Sequence, residues 1–281
     1  MGPAEYLAGR TSRNARVELV SAGMAADCAK VYLVHDAETS VLEASPDEFP
    51  YVIRETTEKA RLASEVLGED LAQHIPVPLD EWEADGVSCA LFELLLPISN
   101  GRLKRFIQLR KIIPPVLKWL RNVAEVDRGI NKEAQSCLRA LFECPVERLR
   151  GPAQTALARI EAGALVPRST VMHGDLWIGN VLIDSVGERD FVVIDWRGSN
   201  VEGFPIFDLV KFAESARLGR EHLQAELAAH AEILACDVQD TRTYLLAALG
   251  YIWSHLGLFP PDRFAMMAET NLSTLDAALN G

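Results

Sequence analysis

The hydrophobic pattern changes character once along this chain, near Pro97, and that change constrains the fold more than any other feature. Before it, short β-branched or apolar runs at Val17–Val20, Ala29–Val34, Tyr51–Ile53 and Val87–Leu96 are separated by turn-like and polar residues, the pattern of strands. One helix is expected among them at Thr56–Leu67, where Ala60, Ala63 and Leu67 recur at helical spacing and Gly68 ends the run. After Pro97 the period becomes helical over 102–126, with a break expected at Pro114-Pro115, and again over 133–143, 152–163, 206–218, 221–235, 240–256 and 264–279. A single compact β passage, Val171–Trp196, is embedded in these helices. Strands followed by helices imply an α+β fold rather than an alternating α/β one.

With 281 residues the chain suits one bilobal domain, a front lobe over 1–96 and a helical lobe over 97–281, and it can bury its core without disulfide staples. A net charge of −12 disfavours nucleic acid as a partner, because phosphate contacts need a surplus of Lys and Arg. No run reaches eighteen apolar residues, so no membrane span is expected. The first residues, Met1-Gly-Pro-Ala-Glu-Tyr6, carry neither a basic n-region nor an apolar h-region. Cys28, Cys89, Cys137, Cys144 and Cys236 are odd in number and form no C-x-x-C pair, which fits free thiols in a reducing cytoplasm and gives no zinc signature. The oligomeric state is left open.

Chemistry concentrates in Val171-Met-His-Gly-Asp-Leu-Trp-Ile-Gly-Asn-Val-Leu-Ile183 and the following Phe191-Val-Val-Ile-Asp-Trp196. His173, Asp175, Asn180 and Asp195 are polar residues among apolar neighbours, and the set suits phosphoryl transfer. That reaction needs a carboxylate to orient and deprotonate the attacking hydroxyl, a role for Asp175. It also needs Mg²⁺ on the phosphates, held by an amide oxygen and a second carboxylate, roles for Asn180 and Asp195. A plain hairpin with incidental polar residues is the competing explanation, and it leaves four simultaneous matches unaccounted for.

The string His173-Gly-Asp-x-x-x-x-Asn180 followed by Ile194-Asp-Trp196 resembles the aminoglycoside phosphotransferase and choline kinase group of protein-kinase-like small-molecule kinases. Gly203-Phe-Pro-Ile-Phe-Asp-Leu209 resembles the group's G-x-P-x-x-D-L segment. The resemblance implies a protein-kinase-like bilobal fold, with a small β-rich N-lobe and a larger helical C-lobe. It also implies ATP and Mg²⁺ as cofactors, a small-molecule hydroxyl as acceptor, and Asp208 as a brace of the catalytic loop. Two departures from protein kinases have physical meaning. Gly174 stands where those enzymes carry an Arg that pairs with a phosphorylated loop, so no such switch is expected. Trp196 stands in place of a movable Phe, so the metal-binding segment is expected to stay in place.

The resemblance also sets expectations for the front lobe. Ser21-Ala-Gly-Met-Ala-Ala26, with Ser21 and Gly23, would form the turn over the phosphates. Arg54, on an expected third strand, would replace a phosphate-binding lysine, and Glu65 on the next helix would pair with it, with Glu55 and Glu58 as competitors. The backbone near Glu93 and Leu95 would hold adenine. Charge is also blocked along the chain: Leu62–Gly101 has eight acidic residues and no Lys or Arg, whereas Leu94–Ala124 has seven basic residues and no Asp or Glu. If the basic block faces the cleft, it favours anionic or neutral acceptors, or a substrate at an anionic membrane surface; a solvated helix face explains it as well. Two functions therefore follow from the sequence, an ATP-dependent small-molecule kinase and a non-catalytic nucleotide-binding scaffold of the same fold.

Overall fold

Five antiparallel strands build the front of the computed structural model, which describes residues 16–22, 27–184 and 189–280. They are β1 (Arg16–Ser21), β2 (Lys30–His35), β3 (Thr39–Ala44), β4 (Asp80–Ala84) and β5 (Val87–Glu93), in the spatial order β1-β2-β3-β5-β4. Their small core is Val34, Leu42, Ala44, Ala84, Val87 and Cys89. Strands β3 and β4 go beyond the sequence expectations, and Tyr51–Ile53 is not a strand. It opens helix α1 (Val52–Leu67).

The helical start at Tyr51–Ile53 has a clear physical cause. Val52 and Ile53 favour strands locally, but Ile53, Thr57, Ala60, Ala63 and Leu67 fall on one buried helical face. The first turn is also satisfied from the sheet, since Ser45 Oγ accepts the Ile53 amide at 3.0 Å and Ser88 Oγ accepts the Arg54 amide at 3.2 Å. These two buried hydroxyls, on either side of β3–β5, fix where the helix begins. Burial has overridden β-propensity.

Helix α1 packs into the larger core rather than that of the sheet, contributing Ala60, Ala63 and Leu67. After a short turn, α2 (Glu69–Ala72), and the two-residue strand β6 (Leu96–Pro97), the chain becomes mostly helical: α3 (Arg102–Glu125), α4 (Ala134–Ala140), α5 (Arg150–Glu161), α6 (Phe207–Ala216), α7 (Arg220–Ile233), α8 (Thr241–Ser254) and α9 (Pro261–Leu279). The fold is α+β and protein-kinase-like, with a small sheet lobe and a helical remainder. Helix α3 continues through Pro114 and Pro115 instead of breaking there. The carbonyls that lose their amide donors belong to Arg110 and Lys111, both exposed, so water satisfies them.

Four short strands lie among these helices: β7 (Thr170–Met172), β8 (Val181–Ile183), β9 (Val192–Val193) and β10 (Asn200–Gly203). β7 pairs with β10, and β8 pairs with both β6 and β9. The loops following β7 and β9 carry the polar residues singled out by the sequence.

Candidate active site

The loop from His173 to Asn180 is held from three directions. Asp208, in the first turn of α6, accepts the amide of His173 at 2.6 Å and that of Gly174 at 3.0 Å. Burial pushes the Asp208 carboxyl above its ordinary range, and the two amides and Lys211 pull against that shift. His173 Nδ1 receives the Asp175 amide at 3.2 Å, so that nitrogen carries no proton; Nε2 does, and donates to the Ile194 carbonyl at 2.9 Å. Ile194 in turn donates its amide to the Asn180 carbonyl at 2.9 Å. Gly174 is required here: its φ is +83°, and a Cβ would lie 2.5 Å from the Gly198 carbonyl oxygen.

Asp175 is partnered on both carboxylate oxygens. Lys211 Nζ pairs with Oδ1, and Asn180 Nδ2 donates to Oδ2 at 3.2 Å and to the Asp175 carbonyl at 2.9 Å. Asp195 follows β9 in a left-handed conformation (φ +65°), strained for a residue with a side chain. The adjacent Trp196 is fully buried, donates its indole N–H to the Val193 carbonyl at 2.7 Å and meets the His173 ring edge-on, which anchors the segment.

Asp175, Asn180 and Asp195 line one cleft of about 470 Å³ between the sheet and the helices. Asp195 opens onto it, but the enclosing protein raises its pKa and the Asp175 charge adds to the rise, while Arg197 acts the other way. Glu43 of β3 faces the same cleft; burial and the Asp195 charge push its carboxyl up to about 7. Behind lies a narrower, mainly apolar slot lined by Val41, Phe92, Glu93, Leu95, Leu182 and Trp196 among others.

The remaining expectations fall unevenly. Glu93 and Leu95 line the apolar slot, with Glu93 tied to Arg189. Arg54 is on α1, not on a strand, and its guanidinium turns outward to Glu83 at 3.2 Å and Glu58 at 3.9 Å. Glu65 is exposed on the same helix and lines neither space. The third strand has no basic residue, and its positions toward the nucleotide space are Val41 and Glu43. Ser21 ends the edge strand β1 in an exposed position, and Gly23 lies outside the described residues. None of the basic side chains of 102–121 lines the cleft; Arg121 Nη1 donates to both carboxylate oxygens of Glu226, at 2.6 and 2.7 Å. The sequence reading missed Lys211, Glu43 and the Arg197–Asp27 pair at the cleft mouth. Lys211 was findable: it is one helical turn beyond Asp208, on the face that meets the loop.

A model of the phosphotransferase enzyme family (APH) matches residues 27–245, a span that includes every element of this cleft up to α8. The chain belongs to that family. A search of curated proteins found no relative. Among solved structures, aminoglycoside phosphotransferase APH(4)-Ia is similar at 14% identity, TM-score 0.59, covering 98% of this phosphotransferase and 97% of that chain. Choline kinase LicA from Streptococcus pneumoniae, solved also in complex with AMP, is similar at 13% identity, TM-score 0.56 and coverages of 98% and 99%. A macrolide 2'-phosphotransferase type I is similar at 18% identity, TM-score 0.56 and coverages of 97% and 98%. These neighbours share the fold, and the family match identifies the chain as a phosphotransferase.

Proposed function

We propose that this phosphotransferase moves the γ-phosphoryl group of ATP to a hydroxyl of a small molecule, with Asp175 as the base. The observation that carries the reading is the convergence of Asp175, Asn180 and Asp195 on one cleft beside an apolar slot. The slot suits a purine base against the Glu93–Leu95 backbone, and a fold neighbour binds AMP.

The residues also fit Mg²⁺. Glu43, Asp175 and Asp195 bring three carboxylates to the cleft, and only Asp175 is directly ion-paired among the described residues. Asn180 commits its amide nitrogen to Asp175, which leaves Oδ1 as a ligand oxygen. Mg²⁺ takes one or two protein ligands and completes its shell with phosphates and water. Asn180 and Asp195 would hold it, and when bound it would neutralise charge on the phosphates.

Asp175 aligns the acceptor hydroxyl and takes its proton as the oxygen bonds to the γ-phosphorus. The bond from that phosphorus to the β-phosphate oxygen breaks, and ADP leaves with the electron pair. Lys211 holds the Asp175 carboxylate in place through the ion pair. Transfer of label from γ-labelled ATP across a panel of hydroxyl compounds tests this: wild type should label an acceptor and Asp175→Asn should not. Labelling by both would defeat the assignment. A second reading, nucleotide binding without transfer, is favoured by Glu43, since β3 offers the phosphates a carboxylate instead of a cation. It predicts Mg-ATP binding with no turnover.

A further inference from the structure

We propose that the acceptor of this phosphotransferase presents its hydroxyl on an apolar, uncharged body, and that the cleft discriminates against polycations; this deepens the phosphoryl-transfer reading and rests on it. In-line transfer places the attacking and leaving oxygens on opposite sides of the phosphorus. With the base in the apolar slot and the phosphates toward Asn180 and Asp195, the acceptor must approach Asp175 from the other side. The wall there is Lys211, Ile252, His255, Leu256, Phe259 and Met267.

Four of those six side chains are apolar, and none is acidic. Lys211 bridges the wall to the chemistry, with Nζ on Asp175 and 3.9 Å from Met267 Sδ. The His255 ring stacks on Tyr251 with centroids 4.3 Å apart, and its Nδ1 is bonded to the Tyr251 carbonyl at 2.8 Å. Phe259, on the α8–α9 turn, is 38% exposed, so the apolar wall reaches solvent at the cleft.

A polycation fares badly against this wall. Its ammonium groups would find no carboxylate among the six residues of the wall, and Asp175 beside them is already paired with Lys211. The other acid at the mouth, Asp27, is held by Arg197, which lowers its pKa. Glu43 and Asp195 lie on the nucleotide side. An apolar body instead exchanges water for Ile252, Leu256, Phe259 and Met267, which stabilises binding in proportion to the area covered.

The test is calorimetric binding of methyl, butyl and hexyl β-glucoside and of kanamycin to the full chain with Mg²⁺ and a non-hydrolysable ATP analogue. The glucosides keep one set of hydroxyls while the apolar body grows. Affinity should rise at least about tenfold from methyl to hexyl, and kanamycin should bind more weakly than hexyl glucoside. Phe259→Asp, a change at a partly exposed position that folding tolerates, should weaken hexyl glucoside and strengthen kanamycin. Kanamycin binding tighter than hexyl glucoside, or no dependence on alkyl length, overturns the proposal. Chain-length-dependent binding with no label transferred from ATP to any hydroxyl would instead defeat the kinase reading and leave the apolar subsite standing.

Discussion

Asp175 has a cation on one carboxylate oxygen and an amide on the other, so the proposed base is oriented before any substrate arrives. Lys211→Met should therefore lower turnover at least about tenfold while nucleotide affinity changes little, and Lys211→Arg should restore part of it; steady-state rates and calorimetry check both. Glu43 gives a pH signature. Its folded pKa, about 7, lies above its ordinary 4.5, so folding favours the protonated form. The stability this contributes is complete below pH 4.5 and is lost as pH rises through 7. Glu43→Gln should thus be more stable than wild type at pH 8 by on the order of 1–3 kcal/mol, and nearly equal at pH 4.5. Denaturant titrations without metal read the difference, and parallel pH curves would contradict the assignment. Residues with a motif around them, Asp175, Asn180 and Asp195, were legible in the sequence. Glu43 was not, because a single acid in the short run Thr39–Ala44 shows nothing until strand pairing turns it to the cleft.

Elements were legible where one period held over many residues, as in α7 and α9. The failure at Tyr51–Ile53 came from reading three β-branched or aromatic residues by propensity, when the deciding partners, Ser45 and Ser88, lie elsewhere in the chain. That displacement carried Arg54 from an expected strand to the outer face of α1. Two tests belong to this scale. Gly174→Ala must place a Cβ against the Gly198 carbonyl at a positive φ, and should cost about 1–3 kcal/mol as well as turnover, measured by melting and rate together. Arg121→Met removes the cation that joins α3 to the buried Glu226 of α7, whose side chain is 8% exposed. An uncompensated charge should destabilise the fold by roughly 3 kcal/mol, and adding Glu226→Leu should recover much of it.

Across the whole molecule, the cleft joins a small sheet to a helical body, and α1 belongs to both, capped by the sheet and buried in the larger core. Lys59 of α1 also donates to the Ser199 carbonyl at 3.2 Å, just beyond the Asp195 segment. Nucleotide that engages both lobes should stabilise them together: saturating Mg-ATP, at about 100 times its Kd, is worth about 2.7 kcal/mol and should raise Tm by about 5 °C or more. The bilobal outline could be read from the switch of periodicity near Pro97. The character of the acceptor side could not, because Lys211, Leu256, Phe259 and Met267 come from three separate elements that only the packed fold brings together. The division of roles between the two carboxylates is tested most directly by ATP turnover and Mg-ATP affinity measured side by side in wild type, Asp175→Asn and Asp195→Ala. Asp175→Asn should lose turnover by roughly a thousandfold or more with Kd nearly unchanged, and Asp195→Ala should lose Mg²⁺-dependent nucleotide affinity. Undiminished turnover in Asp175→Asn, or unchanged Mg²⁺-dependent binding in Asp195→Ala, would contradict it.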